Sequence, residues 1–312
     1  MYEQLKTLDS ISLNFNAAGI NTINIVLAII MFGVALGIKF HTFKTIFTKP
    51  KSIIVGLLLQ WFGLPFITFI LTLVLSRWIT PTVALGMILV AACPGGNISN
   101  FMSSYAKANV ELSVSMTAVT TVFATLMTPF NFALYGKLYY DYLNLKASAL
   151  PVLTISFMPM FKQVLLLLGI PIVLGILFSN YFPRLTEKIK KPFQWLSLVF
   201  FIFMVIAAFG QNVHLFLHYI QFIFIIVVIH NLFALTLGYT GASIFRLPKI
   251  DRRSLTLEVG IQNSGLGLVL LFNPAIFPQQ GMGGMLFITA WWGIWHIIAG
   301  LSISSIFRKK SL

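Results

Sequence analysis

Apolar residues run along this chain in blocks of about twenty, the length an α-helix needs to cross roughly 30 Å of hydrocarbon. Nine such blocks lie near 19–38, 52–75, 82–106, 112–136, 152–179, 193–209, 215–244, 255–277 and 282–307. Short polar stretches part them, and the even ten-residue alternation of a membrane barrel does not run through the chain. The pattern predicts an all-α polytopic membrane protein of about nine transmembrane helices. The fifth block carries Pro151, Pro159 and Lys162 near its start, so it is expected to begin as an interfacial segment. Residues 1–18 read as a polar N-terminal segment without the basic-then-apolar order of a signal peptide.

Two blocks are interrupted in the same manner. The third contains Cys93-Pro94-Gly95-Gly96-Asn97-Ile98-Ser99-Asn100, and the eighth contains Glu258-Val259-Gly260-Ile261-Gln262-Asn263-Ser264-Gly265. Proline removes a backbone donor and pushes the preceding residue out of helix, and paired glycines leave the chain unconstrained. Two broken, polar-centred spans, one in each half of the chain, point to a binding site at the membrane midplane. A simple kink would not require so many amides and hydroxyls, all of which need partners in lipid.

Composition sharpens this picture. The chain is 58% hydrophobic and 9% charged, against roughly 25% charged residues in a soluble domain. A net charge of +14 would by itself suggest a polyanion partner, but the basic residues fall in short loops between apolar blocks, which excludes a nucleic-acid binder. Sixteen of the 21 Lys and Arg share one side of a nine-span topology: Lys39, Lys44, Lys49 and Lys51; Lys107; Arg184, Lys188, Lys190 and Lys191; Arg246, Lys249, Arg252 and Arg253; and Arg308, Lys309 and Lys310. Positive-inside then places the N-terminus outside and the C-terminus in the cytoplasm of a multi-pass cell (inner) membrane protein. The one cysteine, Cys93, permits no internal disulfide and fits no metal cluster. Of seven acidic residues, Glu258 alone sits inside a stretch that reads as membrane-buried. A carboxylate there is costly enough to imply a cation partner or a function.

On these residues the chain resembles the bile acid:sodium symporter family, as a bacterial homologue. The resemblance rests on Pro94-Gly95-Gly96 with Ser99-Asn100, on Leu112-Ser113-Val114-Ser115-Met116-Thr117, on the Glu258–Gly265 string and on Trp295-His296. It implies inverted repeats, two broken crossing helices in a core domain and a panel domain beside it. The corresponding segments are a panel helix at 19–51, the first half of the core at 52–148 with its break at 94–100, and panel helices at 149–213. The second half of the core follows at 214–307 with its break at 258–265, then a cytoplasmic tail at 308–312. The resemblance also implies two sodium sites. One would use Ser99, Asn100, Ser113, Thr117 and Glu258; the other Gln60, Glu258, Gln262 and the carbonyls of Val259 and Ile261. Neutral oxygens with a single carboxylate suit a weakly bound monovalent cation, and Ser113 and Thr117, four residues apart, face the same way from one helix.

The expected function is a sodium-coupled symporter of an organic anion, bile-acid-like or a small carboxylate, working by alternating access. The alternative is a proton-coupled or uncoupled transporter of the same fold. Asn97, Asn263 and His296 are the candidate anion contacts, with half-helix N-termini adding partial positive charge. The family often has threonine at position 97 and asparagine after His296, where this chain has Asn97 and Ile297. Members with ten helices are common, whereas the pattern here gives nine. Expected partners are sodium, the organic anion and membrane lipid, with no nucleic acid and no obligate protein. An intramembrane enzyme is not expected, since neither paired aspartates nor His-Glu-x-x-His occurs. His230-Asn231 is expected to bond between helices, and His214 and His218 to be a solvated pair.

Overall fold

The structure is a computed structural model that describes residues 1–9, 17–38, 50–145, 157–210, 213–274, 276–277 and 281–309. Lys39, Lys44, Lys49, Lys146 and Lys310 lie outside the described residues, as do the side chains of His214 and His218. Every regular element among the described residues is helical. In chain order they are α1 (Tyr2–Asp9), α2 (Ala17–Ala35), α3 (Pro50–Leu75), α4 (Pro81–Ala92), α5 (Ile98–Tyr105) and α6 (Val110–Leu145). These are followed by α7 (Phe157–Tyr181), α8 (Pro183–Gly210), α9 (Val213–Ile244), α10 (Lys249–Gly260), α11 (Ser264–Leu271) and α12 (Gly283–Lys309).

Five of them are long and apolar enough to cross a membrane: α3, α6, α7, the Tyr219–Ile244 part of α9, and α12. The third and eighth apolar blocks are each two shorter helices, α4 with α5 and α10 with α11. On α3, Phe62, Phe66, Ile70 and Val74 are exposed at four-residue spacing. That spacing lines up one apolar stripe, the face such a helix turns to lipid. The most buried of the five is α6, whose inner face carries Ser113, Thr117, Thr120, Thr121, Thr125 and Thr128. Of those hydroxyls, Ser113 and Thr117 donate to the Glu258 carboxylate of α10 and Thr128 to the Ala92 carbonyl of α4, bonds between helices where water cannot serve.

Proline shapes the elements on which the site is built. In α3 the Gly63-Leu64-Pro65 sequence follows a π turn over Leu59–Gly63. Pro65 has no N–H for the carbonyl of Trp61, and the Asn131 side chain on α6 donates to it instead, at 2.9 Å. Gln60 is inside that π turn and buried. A second π turn, Leu165–Gly169 in α7, precedes Gly169-Ile170-Pro171 in the same way.

Close packing holds α10 along α9 and α4 along α12, while α2 lies on α7 and α8. A Cβ at Gly238 of α9 would stand 2.6 Å from the Leu255 carbonyl oxygen of α10, so only glycine lets these backbones approach this closely. The N-terminal segment, polar by composition, forms the amphipathic α1, whose Leu5 and Leu8 are fully buried against the rest of the molecule. Asp9 Oδ1 accepts hydrogen bonds from Thr80, at 3.1 Å, and from Thr82, fastening α1 to the start of α4.

Candidate functional site

The two helix breaks lie against each other. Cys93, which precedes Pro94, is extended (φ −72°, ψ 157°) and ends α4, as a residue before proline should. Ile261 is extended as well (φ −116°, ψ 98°) and ends α10. The breaks then pair as an isolated antiparallel bridge between Gly95 and Gln262. The Gly96 N–H donates to the Ile261 carbonyl at 2.7 Å, and the Asn263 N–H to the Pro94 carbonyl at 2.8 Å. Carbonyls freed by the breaks are taken by side chains of neighbouring helices. Thr128 donates to Ala92 O at 2.8 Å, Gln60 to Cys93 O at 3.2 Å and Asn231 to Gly260 O at 2.7 Å. Unwound backbone at membrane depth is tolerable only with such substitutes. His230 also bonds between helices, its Nε2 lying 2.8 Å from Thr68 Oγ1.

Around this crossing the structure gathers Ser99, Asn100, Ser113, Thr117 and Glu258. Glu258 is 1% exposed. Its Oε1 accepts from Ser99 Oγ at 2.5 Å, Ser113 Oγ at 2.5 Å and Thr117 Oγ1 at 2.9 Å, and Thr117 Oγ1 is also 3.1 Å from Oε2. Asn100 Oδ1 accepts from Ser113 at 2.9 Å and Thr117 at 3.2 Å. Each hydroxyl has one proton, so Ser113 and Thr117 cannot serve Asn100 and Glu258 at once. Acceptors outnumber donors, and among the described residues no Lys, Arg or His forms an ion pair with Glu258. A Cβ at Gly95 would sit 2.7 Å from Glu258 Oε2, so glycine is what lets the break pass this carboxylate. Among the described residues no three His, Cys, Asp or Glu side chains cluster as ligands for a metal ion. The donor set is one of neutral oxygens with a single carboxylate, suited to a monovalent cation.

The second expected set is less convergent. Gln60 Nε2 donates to Gln262 Oε1 at 2.8 Å, and Gln262 Nε2 donates to Val259 O at 2.7 Å. The Ile261 carbonyl is engaged by Gly96. Gln60, Gln262 and Val259 thus form one chain of bonds, whereas Ile261 is tied into the bridge and the Glu258 oxygens are turned to the first set.

Asn97, Asn263 and His296 line one cavity of about 210 Å³, between the crossing and α2. Both half-helices begin at its wall, α5 after Asn97 and α11 after Asn263, though the N–H groups of Ser99, Asn100 and Ser264 are taken by the carbonyls of Gly96, Asn97 and Gln262. Asn263 Oδ1 caps α11 by accepting from the Leu266 N–H at 3.0 Å, which leaves its Nδ2 as a donor for a ligand. His296 is 6% exposed and Ser264 1%. His296 Nδ1 and Ser264 Oγ have no hydrogen-bond partner among the described residues. Buried polar atoms are rarely left unpaired, so both invite a ligand. A second cavity of about 610 Å³ shares Val34, Asn97 and Ile98 with the first and reaches Asn100, Thr117 and Lys190.

Ser264 and Lys190 were not singled out as contacts from the sequence. Ser264 was visible as one more hydroxyl in the second break. From the sequence Lys190 reads as one of a run of loop cations, but the structure places that run on α8, whose packing brings Lys190 to a cavity. Thr128 and Asn131 were also missed; their signal was position on the same helix as Ser113 and Thr117, facing a proline-freed or break-freed carbonyl.

A profile of the Sodium Bile acid symporter family matches residues 24–219. The chain is 29% identical over 288 residues to the uncharacterized sodium-dependent transporter YocS of Bacillus subtilis (strain 168), a match covering 92% of this chain and 83% of that protein. It is 29% identical over 287 residues to the probable sodium/metabolite cotransporter BASS1, chloroplastic, of Arabidopsis thaliana, covering 91% of this chain and 66% of that one. With sodium/bile acid cotransporter 4 of Mus musculus it shares 26% identity over 294 residues, 91% of this chain and 64% of that protein.

Proposed function

The chain belongs to the sodium bile acid symporter family, and from that premise we propose that it is a sodium-coupled symporter of an organic anion, bile-acid-like or a small carboxylate, working by alternating access. It is a membrane transporter and not an enzyme. The observation that carries the proposal is Glu258, a buried carboxylate ringed by Ser99, Asn100, Ser113 and Thr117 with no ion-pair partner among the described residues. A buried charge of this kind is stable only when paired. Sodium supplies the charge, and the hydroxyls can turn lone pairs toward it. A second ion would use Gln60, Glu258, Gln262 and the Val259 and Ile261 carbonyls once the Gln60–Gln262 pair opens.

Two cations against one carboxylate leave a positive crossing. An anion in the adjoining cavity, held by Asn97, Asn263, Ser264, His296 and the two helix N-termini, is stabilised by the ions and stabilises them in return. That reciprocity is the thermodynamic basis of coupling. This cavity of about 210 Å³ adjoins the one of about 610 Å³ at Val34, Asn97 and Ile98, so both a bile-acid-like anion and a small carboxylate remain within the proposal. The proposal includes nine spans, with the two broken pairs each counted as one and α1 outside the membrane, inverted repeats, and a panel of α2, α7 and α8 beside the remaining core. It places the C-terminus in the cytoplasm of a cell-membrane protein.

The test is thermal melting of purified protein titrated with NaCl or KCl at fixed pH. An ion that binds only the folded state adds about 2.7 kcal/mol at a hundred times its Kd. Wild type is expected to gain stability from sodium alone, and Glu258→Gln to lose that gain. Equal responses to both salts in both proteins would reject sodium coupling and favour a transporter in which Glu258 carries a proton.

A further inference from the structure

A groove of about 540 Å³ runs between α9, α10 and α12, away from the helix crossing. Its α10 wall presents Lys249, Arg252, Arg253 and Thr256. Those positions are i, i+3, i+4 and i+7, one face of the helix. The other walls are mainly apolar, with Leu232 and Leu235 on α9 and Ile303 and Ile306 on α12. Leu232 and Ile306 are 59% and 48% exposed, and these two helices are long and apolar enough to span a membrane.

Among the described residues no carboxylate lines the groove. The acid on the first turn of α10, Asp251, is turned elsewhere: its Oδ2 accepts from Ser52 at 2.6 Å and its Oδ1 from Asn109 at 2.7 Å. Arg252 donates through Nε to the Leu247 carbonyl at 2.7 Å, which fixes its position while leaving the two Nη groups for a ligand. Arg253 is 5% exposed and already engaged, its Nη1 donating to the Ala106 carbonyl at 3.2 Å and its guanidinium 5.6 Å from the Phe307 ring, so it adds positive charge behind the groove rather than a free donor. Lys249 is exposed at the groove's mouth.

We propose that this groove binds an acidic phospholipid, its phosphate on Lys249 and Arg252 and an acyl chain along the apolar walls. The combination selects the occupant. A soluble anion would use the cations and gain nothing from Leu232, Leu235, Ile303 and Ile306, whereas a zwitterionic lipid would gain from the apolar walls and less from the cations than a lipid of net negative charge. Basic pockets between membrane helices on the positive-inside face are suited to anionic headgroups. Because α10 continues directly to Glu258, a lipid seated here braces the helix that carries the buried carboxylate. The proposal does not depend on which ion or anion is transported.

The experiment titrates detergent-purified full-length protein with dioleoyl phosphatidylglycerol, dioleoyl phosphatidylcholine or soluble glycerol phosphate, reading the melting midpoint and, by native mass spectrometry, retained lipid. Wild type is expected to retain phosphatidylglycerol in preference to phosphatidylcholine and to melt higher with it, with no response to glycerol phosphate. The double variant K249Q/R252Q should need at least tenfold more phosphatidylglycerol for the same shift. A variant at exposed cations elsewhere, R184Q/K188Q, should behave as wild type. Equal retention of both lipids by wild type would overturn the proposal, a measurement that needs no variant to fold. An equal loss in R184Q/K188Q would reduce the effect to diffuse charge, and a response to glycerol phosphate would make the groove a soluble-anion site; either result rejects a lipid site.

Discussion

At the scale of single residues, the arrangement around Glu258 depends on what is absent as much as on what is present. Gly95 passes the carboxylate so closely that a methyl group would lie 2.7 Å from Oε2 and 3.4 Å from the Glu258 carbonyl oxygen. Those neighbours are a fixed carboxylate and backbone, which cannot swing aside as the end of a long side chain can. Gly95→Ala is therefore expected to keep the helical circular dichroism of the wild type while losing at least tenfold in sodium affinity, read from the sodium dependence of melting. Unchanged affinity would mean that the carboxylate relocates freely and that the oxygen cluster is not the ion site. The cluster was largely readable from the sequence. Glu258 shows itself as an acid within apolar sequence, whereas Ser99, Asn100, Ser113 and Thr117 enter only through the resemblance, with which the four-residue spacing of the last two agrees. Lys190 could not be found in that way, because nothing in its own neighbourhood distinguishes it from the cations beside it.

At the scale of elements, the substitutes for lost backbone bonds carry the local structure. Pro65 frees the Trp61 carbonyl and Asn131 takes it up, so Asn131→Leu should leave a buried carbonyl unpaired, at about 1–3 kcal/mol. Adding Pro65→Ala restores a backbone donor. The double variant Pro65→Ala/Asn131→Leu is therefore expected to recover much of the loss, a coupling that a double-mutant cycle on melting would detect. Strict additivity of the two changes would show that the bond contributes little. A second element-scale device is the docking of α1. Burial raises the carboxyl pKa of Asp9 above its ordinary 3.8, against the lowering effect of its bonds to Thr82 and Thr80. The docked state thus holds the proton more tightly than the undocked one. Docking is strongest below the ordinary carboxylate pKa and weakens as pH rises through the raised value. Asp9→Asn should remove this pH dependence and slow hydrogen exchange in residues 2–9 at neutral pH, whereas an unchanged profile would mean that Asp9 does not control docking. The helix breaks were predictable from Pro94, the paired glycines and the polar run after Glu258. The π turns and the docked α1 were not: a π turn follows from how a neighbouring helix satisfies a carbonyl, and Leu5 and Leu8 are too few to mark an amphipathic helix before its partner surface is known.

At the scale of the whole molecule, Asn97 stands at the wall common to two cavities, one bordered by Asn263 and His296 and the other reaching Lys190. If transport moves the broken-helix core against α2, α7 and α8, access to Asn97 must change sides while the residue itself stays near the crossing. The chain offers a clean background for testing this, since Cys93 is the sole cysteine and is 2% exposed. Asn97→Cys in oriented vesicles is expected to react with a membrane-impermeant maleimide from the Lys190 side in potassium. Sodium with an accepted anion should slow that labelling several-fold and open it from the opposite side. Lys190→Gln should weaken anion uptake while leaving sodium-dependent melting intact, because its cavity meets the oxygen cluster only at Asn100 and Thr117 and it makes no ion pair with Glu258. Labelling confined to one side under every condition would exclude alternating access about this crossing, even if sodium binding at Glu258 were secure. The nine apolar blocks and the two breaks indicate a transporter-like molecule from the sequence alone, but which cavity meets which solvent depends on how α2 and α8 pack against the crossing, and that contact brings together residues far apart in the chain, such as Val34, Asn97 and Lys190.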